Sequence, residues 1–355
     1  MKKKEISLFK ALCSYKNDTF DQNLLTYATP IVLGQLFFNR MQGVAYYSLQ
    51  KHNLLSKINR EFRNSLKSAF DSNQKRNESY FECINYVEGV LKPYHGKYAM
   101  LKGAYLCQLY PRGGRTSNDI DLLVLPEDTT SVGEKLINEG FRQGNIRDNA
   151  FIPATRKQII ESKMMKGETV PYIKEVNLPE MKFLEIDINF SLDYKNDDGT
   201  IQKILNNTIS KDINGMTIQT LNETDFFIHL CCHLYKEATT LPWIKMKRDM
   251  TLYKYCDIYL LLLMMDNKNI DNIFMKAKEL SLSEICAFAI LQTSELFDCN
   301  NDYAVLCAND VLKSNSLFLH RVISPKDGKL LEYEEKNITN RFFCDDREKL
   351  LKEVK

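Results

Sequence analysis

From about Ile6 to His95 the apolar positions recur at intervals of three and four, as in the run IVLGQLFFNRMQGVAYYSLQKHNLL, and strand-like alternation is absent. That period lines apolar side chains along one face of successive helices. The segment LKSAFDSNQKRNESYFECINYVEGVLKPYHG continues it as one long or two stacked helices ending near Pro93 and Gly96. The pattern then changes. KYAMLKG is a short apolar segment closed by glycine, AYLCQLY a helical turn or two, and DIDLLVL a strand rich in branched residues. EDTTSVGEKLINEGF has the acidic, hydroxyl-rich start and glycine stop of a helix. In KFLEIDINFSL (Lys182 to Leu192) strand alternation would set Phe183, Glu185, Asp187 and Asn189 on one face and Leu184, Ile186, Ile188 and Phe190 on the other.

Beyond INGMTIQTL the chain returns to helix, opened by Asn222 or Thr224 as N-cap in NETDFFIHLCCHLYKEA. The apolar DMTLYKYCDIYLLLLMMDN follows, and RVISPKDGKLLEYEE has hairpin chemistry around Asp327-Gly328. The expected class is α+β: a small mixed sheet over residues 97–195, between a helical region at 1–96 and a mainly helical region at 196–355 with a terminal hairpin.

At 355 residues, 44 % apolar and 26 % charged, the chain has the make-up of a globular protein. Its net charge of +2 provides no field for holding phosphate backbones, so nucleic acid is unsupported as a partner. Ten cysteines without any C-x-x-C are expected to be reduced thiols of a cytoplasmic protein. The longest apolar run, Ile258 to Met265, falls well short of the roughly 20 residues of a membrane helix, so no membrane partner is expected.

The chemistry sits in LKGAYLCQLYPRGGRTSNDIDLLVL (Leu101 to Leu125). Asp119 and Asp121 are two apart on a strand, so they project together, with α-carbons about 6.6 Å apart. Two carboxylates held this close force one pKa up unless a cation lies between them. A divalent metal resolves that conflict, and Mg²⁺ is usually held by one or two carboxylates plus substrate phosphates. Before the pair, Lys102 and Gly103 stand where a strand turns into a helix whose free N–H groups suit an anion. Arg112 and Arg115 follow, seven and four residues before Asp119, with planar forks suited to phosphate. Taken singly, a D-x-D in a strand and a surface arginine are ordinary structural features; their order along this stretch is what points to a metal–triphosphate cradle.

This stretch resembles the nucleotidyltransferase superfamily related to DNA polymerase β: Lys102-Gly103-Ala104, fourteen intervening residues, then Asp119-Ile120-Asp121-Leu122. Within it, Leu101-Lys102-Gly103, Tyr110-Pro111, Arg115 and Asp119 to Val124 are most similar to an uncharacterised bacterial branch. The resemblance implies transfer of a nucleoside monophosphate from an NTP to an acceptor hydroxyl with release of pyrophosphate. Two Mg²⁺ or Mn²⁺ ions would lie on Asp119, Asp121 and Asp187, with Glu185 as the competing third ligand. The Gly103 and Ala104 amides, Lys102, Arg112 and Arg115 would face the phosphates. Where that branch has histidine and tryptophan after its third acid, this chain has Asn189 and Phe190. Near-neutral charge favours a small molecule or a peptide or protein hydroxyl as acceptor. A non-catalytic nucleotide- or partner-binding module of the same fold, antitoxin-like, and nucleotide addition to RNA are the alternatives.

His229 and His233 share a helix face with Cys231 and Cys232 between them. Zinc with Asp225 or Glu237 is the sharper reading, and a buried helix with hydrogen-bonded histidines the simpler one. The resemblance adds His233 and Lys236 as groups approaching nucleotide or acceptor. Trp243 could stack a base, but packing between two helices is the simpler explanation.

Overall fold

The computed structural model describes residues 1–192, 198–297 and 301–354. Cys299 and the boundary expected at 195 lie outside them. The chain forms two compact units, Lys67–Phe226 and Met1–Leu66 together with Phe227–Lys355.

The Lys67–Phe226 unit is built on an eight-stranded mixed sheet. Its strands are β1 Tyr98–Met100, β2 Asp119–Val124, β3 Arg142–Arg147, β4 Ala150–Pro153, β5 Tyr172–Leu178, β6 Met181–Asn189, β7 Thr208–Ile213 and β8 Met216–Leu221. They run in the order β4-β3-β5-β6-β2-β1-β8-β7. β2 is antiparallel to β1 and parallel to β6, while β1 is parallel to β8. The class is therefore the α+β mixed sheet that the sequence pattern implies, and wider than that pattern: β3, β4 and β5 extend one side, and the β7–β8 hairpin the other.

The centre of the sheet is held by burial. Ile120, Leu122, Leu123 and Val124 of β2 and Leu184, Ile186 and Ile188 of β6 are fully buried. Each stabilises the fold by about 1.5–3 kcal/mol relative to exposure. The helix Arg60–Leu91 carries a seam of buried residues at Phe62, Leu66, Phe70, Asn77, Tyr80, Ile84, Val87 and Leu91. Apart from the step between Phe70 and Asn77, the spacing is three or four throughout, which keeps the seam on one face. Asn59 caps its start by accepting from the Phe62 amide, and Pro93 follows its end.

The other unit is mainly helical, with apolar helices such as Leu252–Leu262 and Ser283–Phe297. It ends in a three-stranded sheet, β9 Arg321–Ser324, β10 Lys329–Tyr333 and β11 Leu351–Glu353. The hairpin expected around Asp327-Gly328 is β9–β10, and β11 adds to its other edge. Among the described residues, no helix is long and apolar enough to cross a membrane.

Candidate functional site

Asp119 opens β2 and Asp121 follows two residues later, so both carboxylates leave the same side of the strand. The parallel register with β6 sets Glu185 opposite Asp119, and Asp187 opposite Asp121. Paired residues of neighbouring strands point the same way, so four acidic side chains share one face of the sheet. Asn189 lies two residues beyond Asp187, and its Nδ2 donates to Asp121 Oδ1 at 3.4 Å. Its place in the sequence therefore matters to the site even though it replaces the histidine of the related branch.

Lys102 meets this acidic face. Its Nζ donates to Asp121 Oδ1 at 2.7 Å, with the two side chains 20 % and 6 % exposed. The backbone brings it there: the Leu101 amide donates to the Asp121 carbonyl at 2.9 Å, and the Ala104 amide turns back to the Leu101 carbonyl at 3.3 Å. Lys102 takes φ 40° and ψ −111° in that turn. This is the first corner of a type II′ turn, a position that glycine fills at no steric cost. A lysine there carries strain of about 1–3 kcal/mol, which persists only where the surroundings hold it.

The glycine that follows has a different constraint. A Cβ on Gly103 would stand 2.7 Å from the Ser117 side chain and 2.7 Å from the Tyr80 hydroxyl. Both neighbours brace Asp119: Ser117 Oγ donates to Asp119 Oδ1 at 2.7 Å, and Tyr80 Oη to the Asp119 carbonyl at 2.8 Å. The helix beginning at Gly103 is only four residues long, so it has little dipole of its own. Close packing by itself requires glycine here.

The electrostatics follow from one ammonium among several carboxylates. Burial pushes Asp119 up, but Lys102, the Ser117 hydroxyl and Arg115 outweigh it and leave this carboxyl below its ordinary range. Burial, then the charges of Asp121 and Asp119, push Asp187 well above its ordinary range. Burial and Asp119 raise Glu185 as well. Lys102 is held charged, because Asp121, Asp119 and Asp187 together overcome the effect of burial on it. Burial raises Asp121 too, along with the charge of Asp119, so Asp121, Glu185 and Asp187 all lie above their ordinary ranges, a conflict that a further cation would relieve.

The two arginines part company. Arg115 is buried, with Nη1 at 3.6 Å from Cys107 Sγ, and its charge helps to lower Asp119. Arg112 is exposed and pairs with Glu78 at 3.7 Å. It lines a cavity of about 680 Å³ together with Phe81, Gln108, Tyr110 and the β7–β8 turn, and none of the four acidic residues lines that cavity. His233 and Lys236 belong to the other unit, where His233 Nε2 stands 3.5 Å from Glu237 and Glu237 pairs with the buried Lys254. Lys254 also lies over the Trp243 ring, 5.8 Å from its centroid.

Among the described residues, no three His, Cys, Asp or Glu side chains already converge into a metal cage. That bears on both metal readings. On the histidine helix, His229 is buried and His233 stands beside Glu237. For the acidic face, the donor set still fits a hard divalent cation: oxygen ligands only, more negative charge than Lys102 offsets, and a shell that substrate phosphates would complete.

Asn77 has no counterpart in the sequence reading, yet it holds the arginine loop. Buried on the helix seam, it donates from Nδ2 to the Arg115 carbonyl at 2.7 Å and accepts from the Gly113 amide at 2.8 Å. Gly113 takes φ 89°, with the Phe70 carbonyl 3.0 Å from where a Cβ would sit. A polar residue at a seam position was the available signal. Asn77→Ala is expected to cost about 2 kcal/mol or more, since it leaves two buried backbone groups unpaired. Chemical denaturation checks this, and a midpoint unchanged from wild type would contradict it.

Residues 32–298 match the model of a family described as "Uncharacterised nucleotidyltransferase". Among solved structures, the chain is similar to an antigenic nucleotidyltransferase-like protein from Paracoccidioides brasiliensis, at 14 % identity and a TM-score of 0.32. That likeness covers 56 % of this chain and 89 % of the other. No curated protein matches.

Proposed function

The chain belongs to the family of uncharacterised nucleotidyltransferases, and from that premise we propose that it moves a nucleoside monophosphate from an NTP to the hydroxyl of a small molecule, peptide or protein, releasing pyrophosphate. The observation that carries this reading is the acidic face itself: Asp119 and Asp121 on β2 with Asp187 beside them on β6, met by Lys102.

Asp119, Asp121 and Asp187 would hold Mg²⁺ or Mn²⁺, two ions in all. When bound, these supply the charge that offsets the triphosphate and acidifies an acceptor hydroxyl. Asp187, whose carboxyl is raised by burial and by Asp121 and Asp119, is suited to take the acceptor's proton once it is ionised. Lys102 and Arg115 place positive charge where a leaving pyrophosphate gains negative charge. Binding a cation at Asp187 requires its proton to leave, so metal binding is expected to release protons. Calorimetry in two buffers of different ionisation heat measures that number; a value of zero near neutral pH would contradict the raised Asp187 carboxyl.

The net charge of +2 supports a small or peptidic acceptor over long nucleic acid. The test is incubation with each α-labelled NTP, Mg²⁺ and fractionated cell extract. Label passing into the small-molecule or protein fraction, with matching pyrophosphate, is expected. Label entering RNA would overturn the acceptor class, and no pyrophosphate from any NTP would overturn the transferase reading.

A further inference from the structure

Lys102 combines two features that seldom coincide. Its backbone occupies a turn corner that favours glycine, at φ 40° and ψ −111°, and its ammonium lies 2.7 Å from Asp121 Oδ1. Glycine would serve the turn better, so the side chain is what offsets the strain. That side chain is committed to a carboxylate which, under the transferase reading, must also bind a metal ion.

Resting on that reading, we infer that Lys102 is a resident counter-ion: it occupies the cation position on Asp121 in the nucleotide-free protein and must leave it before a divalent metal binds there. The neighbouring geometry confines this exchange to one contact. Asn189 and Lys102 both donate to Asp121 Oδ1, whereas Asp119 Oδ1 is taken by Ser117. An incoming cation at Asp121 Oδ1 therefore competes with Lys102. Divalent metal alone competes with a tethered ammonium and binds weakly. Metal arriving with a triphosphate brings a new anion for the displaced ammonium, so the two bind together far better than either alone. Such coupling is reciprocal: nucleotide strengthens metal binding by the same factor as metal strengthens nucleotide binding. The device keeps the acidic face neutralised between turnovers and reserves it for the metal–nucleotide complex.

The test is Mn²⁺ binding without nucleotide, read by electron paramagnetic resonance of the free ion, for wild type, Lys102→Gly and Lys102→Met. Lys102→Gly suits the turn, so it keeps the fold while removing the ammonium. Lys102→Met keeps a side chain and removes only the charge. Both variants are expected to bind Mn²⁺ at least tenfold more tightly than wild type. They should also lose most of the strengthening that an added NTP gives wild type. Equal or weaker Mn²⁺ binding in both variants overturns the counter-ion role and leaves the transferase reading standing. No Mn²⁺ binding by any of the three, with or without NTP, overturns both.

Discussion

Asp187→Asn is expected to raise the thermal stability of the metal-free protein near neutral pH while lowering nucleotidyl transfer by at least about a hundredfold. The stability effect follows from the acidic face. In the unfolded chain an aspartate ionises near pH 3.9, whereas in the folded protein burial and the charges of Asp121 and Asp119 hold Asp187 well above that range. Below the unfolded pKa both states are protonated, and the residue carries no penalty. As pH rises toward the folded pKa, the unfolded chain gives up its proton and the folded protein resists, so stability is lost. Asparagine, which resembles the protonated acid and never ionises, escapes that loss. The gain should therefore be clear near pH 7 and vanish below about pH 4. The activity effect has the opposite sign for the same reason: the charge that destabilises the metal-free fold is the charge that, under the proposed function, would bind metal. Loss of an outer partner of a metal ligand costs about 10–100-fold, and loss of a ligand should cost more. Melting curves across pH, with and without Mg²⁺ and NTP, and pyrophosphate release check both halves. A variant less stable than wild type near pH 7, or one of wild-type activity, would contradict this role for Asp187.

Gly103→Ala is the second large effect. The added methyl would stand 2.7 Å from the Ser117 side chain and the Tyr80 hydroxyl. Real Cβ contacts do not come so close, so Tyr80, fully buried, or Ser117 must move. Overpacking of this kind costs about 1–3 kcal/mol. Because Tyr80 and Ser117 both donate to Asp119, the damage is expected to reach the metal binding proposed for this face as well as stability. Ser117→Ala combined with Gly103→Ala should restore neither the stability, since the Ser117 Cβ and the Tyr80 hydroxyl both stay 2.7 Å from the added methyl, nor the metal affinity, since the Asp119 hydrogen bond is then absent. Denaturation midpoints and Mn²⁺ affinity for the single and double variants measure this. A Gly103→Ala protein as stable as wild type would contradict the close packing.

The parts of the fold legible from sequence are those whose signals are local. DIDLLV reads as a strand because its apolar face is continuous, and the seam from Phe62 to Leu91 reads as a helix because its period is unbroken except between Phe70 and Asn77. The parallel pairing of β2 with β6 is long-range, yet the alternation in Lys182 to Leu192 already placed Asp187 and Glu185 on one face. β3 was hidden because Arg142 to Arg147 has little apolar pattern. The β7–β8 hairpin did carry a signal, Asn214-Gly215 between alternating residues, and both positions take positive φ as a tight hairpin requires. Lys102 at a glycine-type corner, and Tyr80 and Asn77 reaching the site from the long helix, were beyond local reading, because only the packed structure brings them to Asp119 and Arg115. For the same reason most of that helix joins the sheet unit, whose first residue is Lys67.

The most direct measurement of the central claim is calorimetric titration of the four NTPs, with and without Mg²⁺, into wild type and the Asp119→Asn, Asp121→Asn double variant. Binding of at least one NTP that requires Mg²⁺ and disappears in the folded double variant is the expected result, and it would name the donor nucleotide. Binding that ignores both the metal and the two substitutions, or no binding at all, would contradict a triphosphate site on this face of the sheet.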